Sequence, residues 1–257
     1  MRTTLSTAII VFSTIAGLSC APRETTPLTT AQVLARTDHA IGGSTIRSIR
    51  EAMDVVENNI RNADTTGFKR STARTGVDGK LQVALDMEQG SLENTGRNLD
   101  VGISGAGFFQ VKVLGKDGES IAYTRNGNFF VNNRSELVLG LGDGYRLEPP
   151  LVIPADSTEV SISQAVLVQV VRAGQIEKTS VGQIPLWVFI SPSQLDGGGG
   201  TLLKATDASG PAVECRAGEN GAGVLLQGFL EKSNVNIDVE SRRMRFLQEW
   251  LDAVAGR

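Results

Sequence analysis

The chain has 257 residues, 29 of them glycine, with one histidine, two cysteines and a formal net charge of -3. That length supports one large domain or two small ones around a real core. The acidic balance lacks the basic footprint of a nucleic-acid binder, and His39, Cys20 and Cys215 fall short of the roughly four N/S ligands, or three plus water, of a zinc centre.

The N-terminus has the form of a leader. Arg2 supplies a short positive region, and Leu5 to Leu18 is apolar or small but too short for a permanent membrane span. It ends in Gly17-Leu18-Ser19-Cys20, which resembles a lipoprotein processing site with Cys20 acylated. Gly17 stands where a branched apolar residue is usual, while cleavage after Ala21 would leave Pro22 first, which favours Cys20. A plain signal peptide and a start codon assigned too early are the other readings. Residues 1–19 are therefore expected as a lipoprotein-like signal and 20–43, polar with Thr and Pro, as a flexible tether. With Cys20 consumed by lipid, Cys215 is expected as a buried free thiol, an intermolecular disulfide being the alternative.

From Ser44, a plausible N-cap, Ile46, Ile49, Met53, Val56, Ile60 and Ala63 recur at alternating steps of three and four. This is a heptad-like stripe on a helix whose other faces carry Arg47, Arg50, Glu51, Asp54 and Glu57. Gly67 stops the helix or lies just past it. The period then falls to two at Leu81, Val83, Leu85 and Met87, a half-buried strand. Short apolar runs follow at 108–113, 121–125, 129–131, 137–139, 151–153, 160–162, 166–171 and 184–190. Asp78-Gly79, Asp117-Gly118 and Asp143-Gly144 supply turns between several of them. Many short strands at close spacing predict an antiparallel β domain, with Gly197 to Gly200 as a flexible loop.

A second helix is expected from Asn236 or Asp238, where either residue can cap. Met244, Leu247, Leu251 and Val254 form its apolar stripe, widened by Phe246 and Trp250. Such a face needs a partner, and the first helix is the economical one. The fold class expected is mainly β with paired terminal α-helices, an antiparallel β domain being inserted between them.

Catalytic constellations are missing. A nucleophilic triad needs a base beside the nucleophile, and the single histidine lies in a polar segment ahead of the helix. Gly102, Gly105 and Gly107 have the wrong spacing for a dinucleotide loop, and a tight turn with Gly105 or Gly107 at positive φ is expected instead. Gly115-Lys116 is followed by Asp117, so it is no Walker sequence, and no acidic run matches a Ca²⁺ loop. No enzymatic activity and no cofactor are expected.

An ordered set of motifs remains. Asn58-Asn59-Ile60-Arg61-Asn62-Ala63-Asp64-Thr65-Thr66-Gly67-Phe68-Lys69-Arg70 is followed by Gly90-Ser91-Leu92 and Thr95-Gly96-Arg97-Asn98-Leu99-Asp100-Val101-Gly102-Ile103. Then come Ser104-Gly105-Ala106-Gly107-Phe108-Phe109-Gln110-Val111, Ala122-Tyr123-Thr124-Arg125-Asn126-Gly127-Asn128-Phe129 and Leu151-Val152-Ile153-Pro154. The last is Leu225-Leu226-Gln227-Gly228-Phe229-Leu230-Glu231-Lys232-Ser233-Asn234-Val235. From about residue 44 to 250, in this order, the chain resembles the flagellar rod and hook protein family, most closely its distal-rod branch.

The resemblance implies a structural subunit whose terminal helices form the inner tube of the flagellar rod, a torque-transmitting conduit, with the β domain outside. It places a rod helix and signature at 44–70, the β-rich domain at 71–232 and a C-terminal helix at 233–257. The assembly interface it implies takes Ile46, Ile49, Met53, Val56, Asn59, Ile60, Asn62, Thr66, Gly67 and Phe68 from the N-terminal part. From the C-terminal part it takes Ser233, Asn234, Val235, Met244, Leu247, Trp250 and Leu251. The implied partners are further copies, other rod subunits, the hook protein and the surrounding rings, at the periplasmic side of the basal body. No nucleic acid is implied. Departures point to a divergent paralogue: the lipobox-like Cys20, a short last helix, and Arg242, Arg243 and Arg245 within it. Arg134-Ser135 and Ala165-Val166 replace glycine turns of the family, so those hairpins are expected to be rebuilt. The competing readings are a periplasmic accessory or binding protein, anchored in the outer membrane through Cys20, that kept the fold and lost polymerisation, and a secreted hydrolase.

Overall fold

A computed structural model describes residues 30–75, 80–115, 118–140, 144–219 and 221–256, with side chains described from Thr45 onward. The leader, Cys20 and the first part of the expected tether lie outside the described residues, as do Asp78-Gly79, Asp117 and Asp143. Residues 42–257 form one unit; residues 30–41 belong to another and are described as helical backbone.

Helix α1 spans Thr30–Arg61. It starts well before Ser44, so Ser44 is not its N-cap and helical backbone takes in residues 30–43 of the expected tether. Ala31, Gln32, Leu34, Ala35 and Arg36 are strong helix formers, and each of Gly42 and Gly43 costs a helix interior only about 1 kcal/mol. At the other end Asn62 Nδ2 donates to the Asn58 carbonyl at 2.9 Å, and Thr65 Oγ1 donates to Asn62 Oδ1 at 3.1 Å. Gly67 then turns the chain at φ +70°, where a side chain would run into the Asn126 backbone.

β1 (Ser71–Thr75) and β2 (Leu81–Leu85) make a separate antiparallel ribbon. β3 (Leu92–Asn94) and β4 (Val101–Ser104) come next. β5 (Phe109–Gly115), β6 (Gly118–Thr124), β7 (Phe129–Val131), β8 (Leu137–Leu139) and β9 (Tyr145–Leu147) form a five-stranded sheet in the order β6-β5-β9-β8-β7. β10 (Ser157–Ile162), β11 (Leu167–Arg172) and β12 (Lys178–Gln183) form a meander, and β13 (Leu186–Val188) pairs with β14 (Val213–Cys215). The chain then returns: β15 (Val224–Gln227) pairs with β4, placing Leu225 opposite Ile103, and β16 (Phe229–Glu231) pairs with β3. Every ladder is antiparallel, and the chain closes with helix α2, Ile237–Ala255. Asn236 is its cap, accepting from the Val239 N–H at 3.1 Å.

The fold is therefore mainly antiparallel β between two terminal helices that pack together. Ile49, Ala52 and Val56 of α1, Ala73 of β1 and Leu247 of α2 share one buried cluster. A second cluster fills the β domain around Ile103, Phe109, Phe129, Val168 and Leu225, and holds Cys215 as a buried free thiol. Phe108, Tyr123 and Phe189 build a third, with edge-on rings.

Several expectations are corrected. Residues 151–153 are not a strand: Leu151 and Ile153 plug the core while only Val152 bridges to Glu136. Val83 is 52% exposed, so β2 does not present the even half-buried face its alternation suggested. Phe246, at 63% exposure, and Trp250, at 45%, do not join the packed face of α2. Ser135 at φ +63° and Val166 at φ +66° keep a left-handed backbone without glycine, a strain of about 1–3 kcal/mol each. Val166 is held there by burial of its own side chain in the β core. Gly105 and Gly107 both take positive φ, +104° and +125°, in the turn ahead of β5.

Candidate assembly surface

The two end motifs meet at a buried carboxylate. Glu231, at the end of β16, is 1% exposed. Its Oε1 accepts from Lys69 Nζ at 2.7 Å and from the Gly90 N–H at 3.1 Å. Its Oε2 accepts from Arg125, with Nε at 2.7 Å. Lys69 also donates to the Glu88 carbonyl at 2.7 Å, and Arg125 to the carbonyls of Ile103, Gly105 and Gly107. The Gly67 N–H closes the ring on the Glu231 carbonyl at 2.8 Å. Burial lowers the pKa of both Lys69 and Arg125 against the opposing pull of the Glu231 charge. One carboxylate thus serves two cations, and its partners use carbonyls for their remaining donors.

A second buried carboxylate lies in the first turn of α2. Glu240 is fully buried and accepts from Arg70 at 3.1 Å and from Asn59 Nδ2 at 3.2 Å. Arg70 also binds Asp86 at 2.7 Å, and that hydrogen bond raises the Arg70 pKa and holds Asp86 below its ordinary value. Asn59 bonds both the N–H and the carbonyl of Ser71, each at 2.8 Å, standing in for a neighbouring strand. Asn234 accepts from the Arg70 N–H and donates to the carbonyls of Asp86 and Glu88.

Most residues expected at an assembly interface are engaged within the chain. Asn59, Gly67 and Phe68 are buried in the junction, while Asn62, Thr66, Ser233, Asn234 and Val235 are half-buried around it. Ile49, Val56 and Leu247 are buried in the helix seam, with Ile46, Met53, Ile60, Met244 and Leu251 half-buried. Only Trp250 of that set is exposed. Sequence reasoning gave no role to the charges Lys69, Arg70, Arg125, Glu231 and Glu240, although four of them lay inside quoted motifs. Nothing in a lone charged letter separates a buried partner from a solvated one.

The open surface is on the outer side of the helices. Phe246 and Trp250 rim a groove of about 380 Å³ whose floor includes Ile49, Ala52, Ala73 and Leu247. Arg243 also lines it from α2, while Arg242 and Arg245 are exposed on α2 and Glu51, Asp54 and Glu57 on α1. This pattern suits a protein contact: aromatic anchors beside an apolar floor, bordered by charge. It offers no chemistry, and among the described residues no group of three His, Cys, Asp or Glu side chains is placed to hold a metal. No described helix is long and apolar enough to cross a membrane.

Residues 102–170 match the family described as the flagellar hook protein FlgE/F/G D1 domain. The chain is 35% identical over 216 residues to the flagellar basal-body rod protein FlgG of Buchnera aphidicola subsp. Acyrthosiphon pisum, covering 73% of this chain and 81% of that one. It is 32% identical over 235 residues to FlgG of Bacillus subtilis, covering 79% and 86%. Similarity to the rod protein FlgF of Caulobacter vibrioides is 29% over 240 residues, covering 84% and 89%.

Proposed function

The chain belongs to the flagellar basal-body rod protein family, nearest its FlgG branch, and on that footing we propose that it builds the torque-transmitting axial tube through the outer faces of α1 and α2. It is a structural protein of the flagellum, and its assigned place is the basal body among other rod and hook components. The observation that carries the tube reading is the incomplete helix seam, in which Phe246 and Trp250 stay exposed beside an apolar groove that neighbouring subunits would cover. The junction around Glu231 holds the helices to the β domain, so load on one passes to the other. Deletion of the gene should abolish swimming, and unlipidated protein should copurify with hook-basal bodies.

A second reading rests on Leu18-Ser19-Cys20 and on the exposed arginines of α2. It makes the protein a lipid-anchored rod paralogue serving the flagellum as a periplasmic accessory, in the outer membrane. Palmitate labelling lost in Cys20→Ser, protein confined to the membrane fraction and normal swimming of the deletion would establish it and sink the tube.

A further inference from the structure

Along the outer side of α1, Arg47, Glu51 and Asp54 follow one another at steps of four and three residues. Along the outer side of α2, Arg242, Arg245 and Glu249 follow at steps of three and four, so each set is one stripe of its helix. All six are exposed, and none forms an ion pair or side-chain hydrogen bond among the described residues. The pair that α1 does close on its surface, Glu57 with Arg61, lies outside the set. Each stripe stands opposite the packed one, which runs through Ile49 and Val56 on α1 and Leu247 on α2.

Exposed charges ordinarily do no more than solvate a helix face; these differ in their order. Laid antiparallel, the two stripes bring Asp54 to Arg242, Glu51 to Arg245 and Arg47 to Glu249, three opposite pairs at matching steps. Laid parallel, they set Arg47 against Arg242 and Asp54 against Glu249, two pairs of like charge. Placed against itself about a two-fold axis, α2 sets Arg245 beside Arg245. The antiparallel register also has an apolar flank. One residue on from each stripe stand Ser48 and Val55, half-buried on α1, and Phe246 and Trp250, exposed on α2. Antiparallel helices bring equal rotations to the same side of their seam, so these four gather on one side of it.

We propose that the outer stripe of α1 in one copy packs antiparallel on the outer stripe of α2 in the next, in the register Asp54–Arg242, Glu51–Arg245 and Arg47–Glu249. The contact rests on the rod reading and deepens it, naming the faces through which neighbouring subunits join. Within one chain α1 and α2 already run antiparallel, since Asn59 meets Glu240 while residues 45–52 share a groove with residues 243–250. Adding copies through this contact alternates α1 and α2 with every chain pointing the same way, the head-to-tail geometry a polar tube requires. Exposed ion pairs contribute little affinity, so the charges set register and orientation while Phe246 and Trp250 supply buried area.

The test is oxidation of cells that carry two full-length variants together, Glu51→Cys and Arg245→Cys, with the crosslinked dimer measured. The mixture should give several times the dimer of either variant alone, because the contact joins unlike faces. Arg47→Cys mixed with Arg245→Cys, about one turn out of register, should give no more than the single variants. A mixture no stronger than the single variants overturns the register wherever the protein resides. Equal crosslinking in the shifted mixture overturns it too, and so does equal dimer from Arg245→Cys alone, which would assign association to a two-fold α2 pair. Charge reversal gives an independent readout. Glu51→Arg/Asp54→Arg should melt close to wild type and fall about tenfold in purified hook-basal bodies. Adding Arg242→Glu/Arg245→Glu to the same chain should restore it; no loss on reversal, or loss without rescue, would overturn the register. The rod reading is scored apart, by wild-type protein in hook-basal bodies and by swimming of the deletion. Wild type in the basal bodies without crosslinking removes the register and keeps the rod, and crosslinking without basal-body protein does the reverse.

Discussion

Around Glu231 the two ends of the chain meet through ions and backbone hydrogen bonds that satisfy the carboxylate on both oxygens, whereas along α1 and α2 they meet through side chains that cover one another only in part. Buried ion pairs contribute little net stability, because removing charges from water costs about what the pairing returns. Their geometry is directional, however, and it fixes how the return strands sit against the first motif. The helix seam is apolar and non-directional, and it leaves aromatic rings in solvent. One region closes within a single chain; the other leaves apolar side chains exposed. The motif residues expected at an interface mostly lie in the first region, buried or half-buried within the chain.

The comparison breaks if removing the central charge is harmless. Glu231→Gln leaves Lys69 and Arg125 buried without a counter-charge and should cost about 3–5 kcal/mol, read as a lower urea midpoint. A loss below about 1 kcal/mol would mean that the junction does not hold the ends together. The seam is tested by neighbouring residues on α2. Leu247→Ala should cost about 2–4 kcal/mol, whereas Phe246→Ala, a larger truncation, should stay within about 1 kcal/mol. Equal losses would show that Phe246 is packed in the chain and not reserved for a neighbour.

Ser135→Gly provides a scale for backbone strain outside both regions. Glycine relieves the left-handed φ of +63°, and a gain of about 0.5 kcal/mol is expected by thermal unfolding. Val166→Gly relieves similar strain but removes a buried side chain, so it should bring no gain. The smallest effect belongs to the rim of the junction. Arg70 holds Asp86 below its ordinary pKa, so its contribution is complete above the unfolded value near 4 and fades as pH falls through the folded one. The stability gap between wild type and Asp86→Asn should therefore shrink when unfolding is compared at about pH 6 and about pH 2.5. A constant gap would remove Asp86 from the charge network.

Helix α2 was legible in its period and its Asn236 cap, and α1 in its Ile49 to Val56 stripe, because both signals are local. The start of α1 was not, since its first turns carry no apolar stripe and Gly42-Gly43 looked like a break. Strands β15 and β16 pair with β4 and β3 across more than a hundred residues, and alternation in so short a run does not announce such pairing. The positive φ of Gly105 and Gly107 followed from residue type. That Ser135 and Val166 would keep the same conformation did not, because the cost is met by packing elsewhere in the core. At the candidate surface the sequence identified apolar positions but not their sides: Leu247 turned inward while Phe246 and Trp250 turned outward. A helix wheel gives that separation only once the partner's direction is known.

The central claim is that the outer face of α2 joins this subunit to its neighbours while the motif junction keeps the subunit folded. The direct measurement is the amount of a Phe246→Ser/Trp250→Ser double variant in purified hook-basal bodies, alongside its melting temperature. The variant should melt close to wild type and be missing from the basal bodies. Normal incorporation of the folded variant would contradict the account.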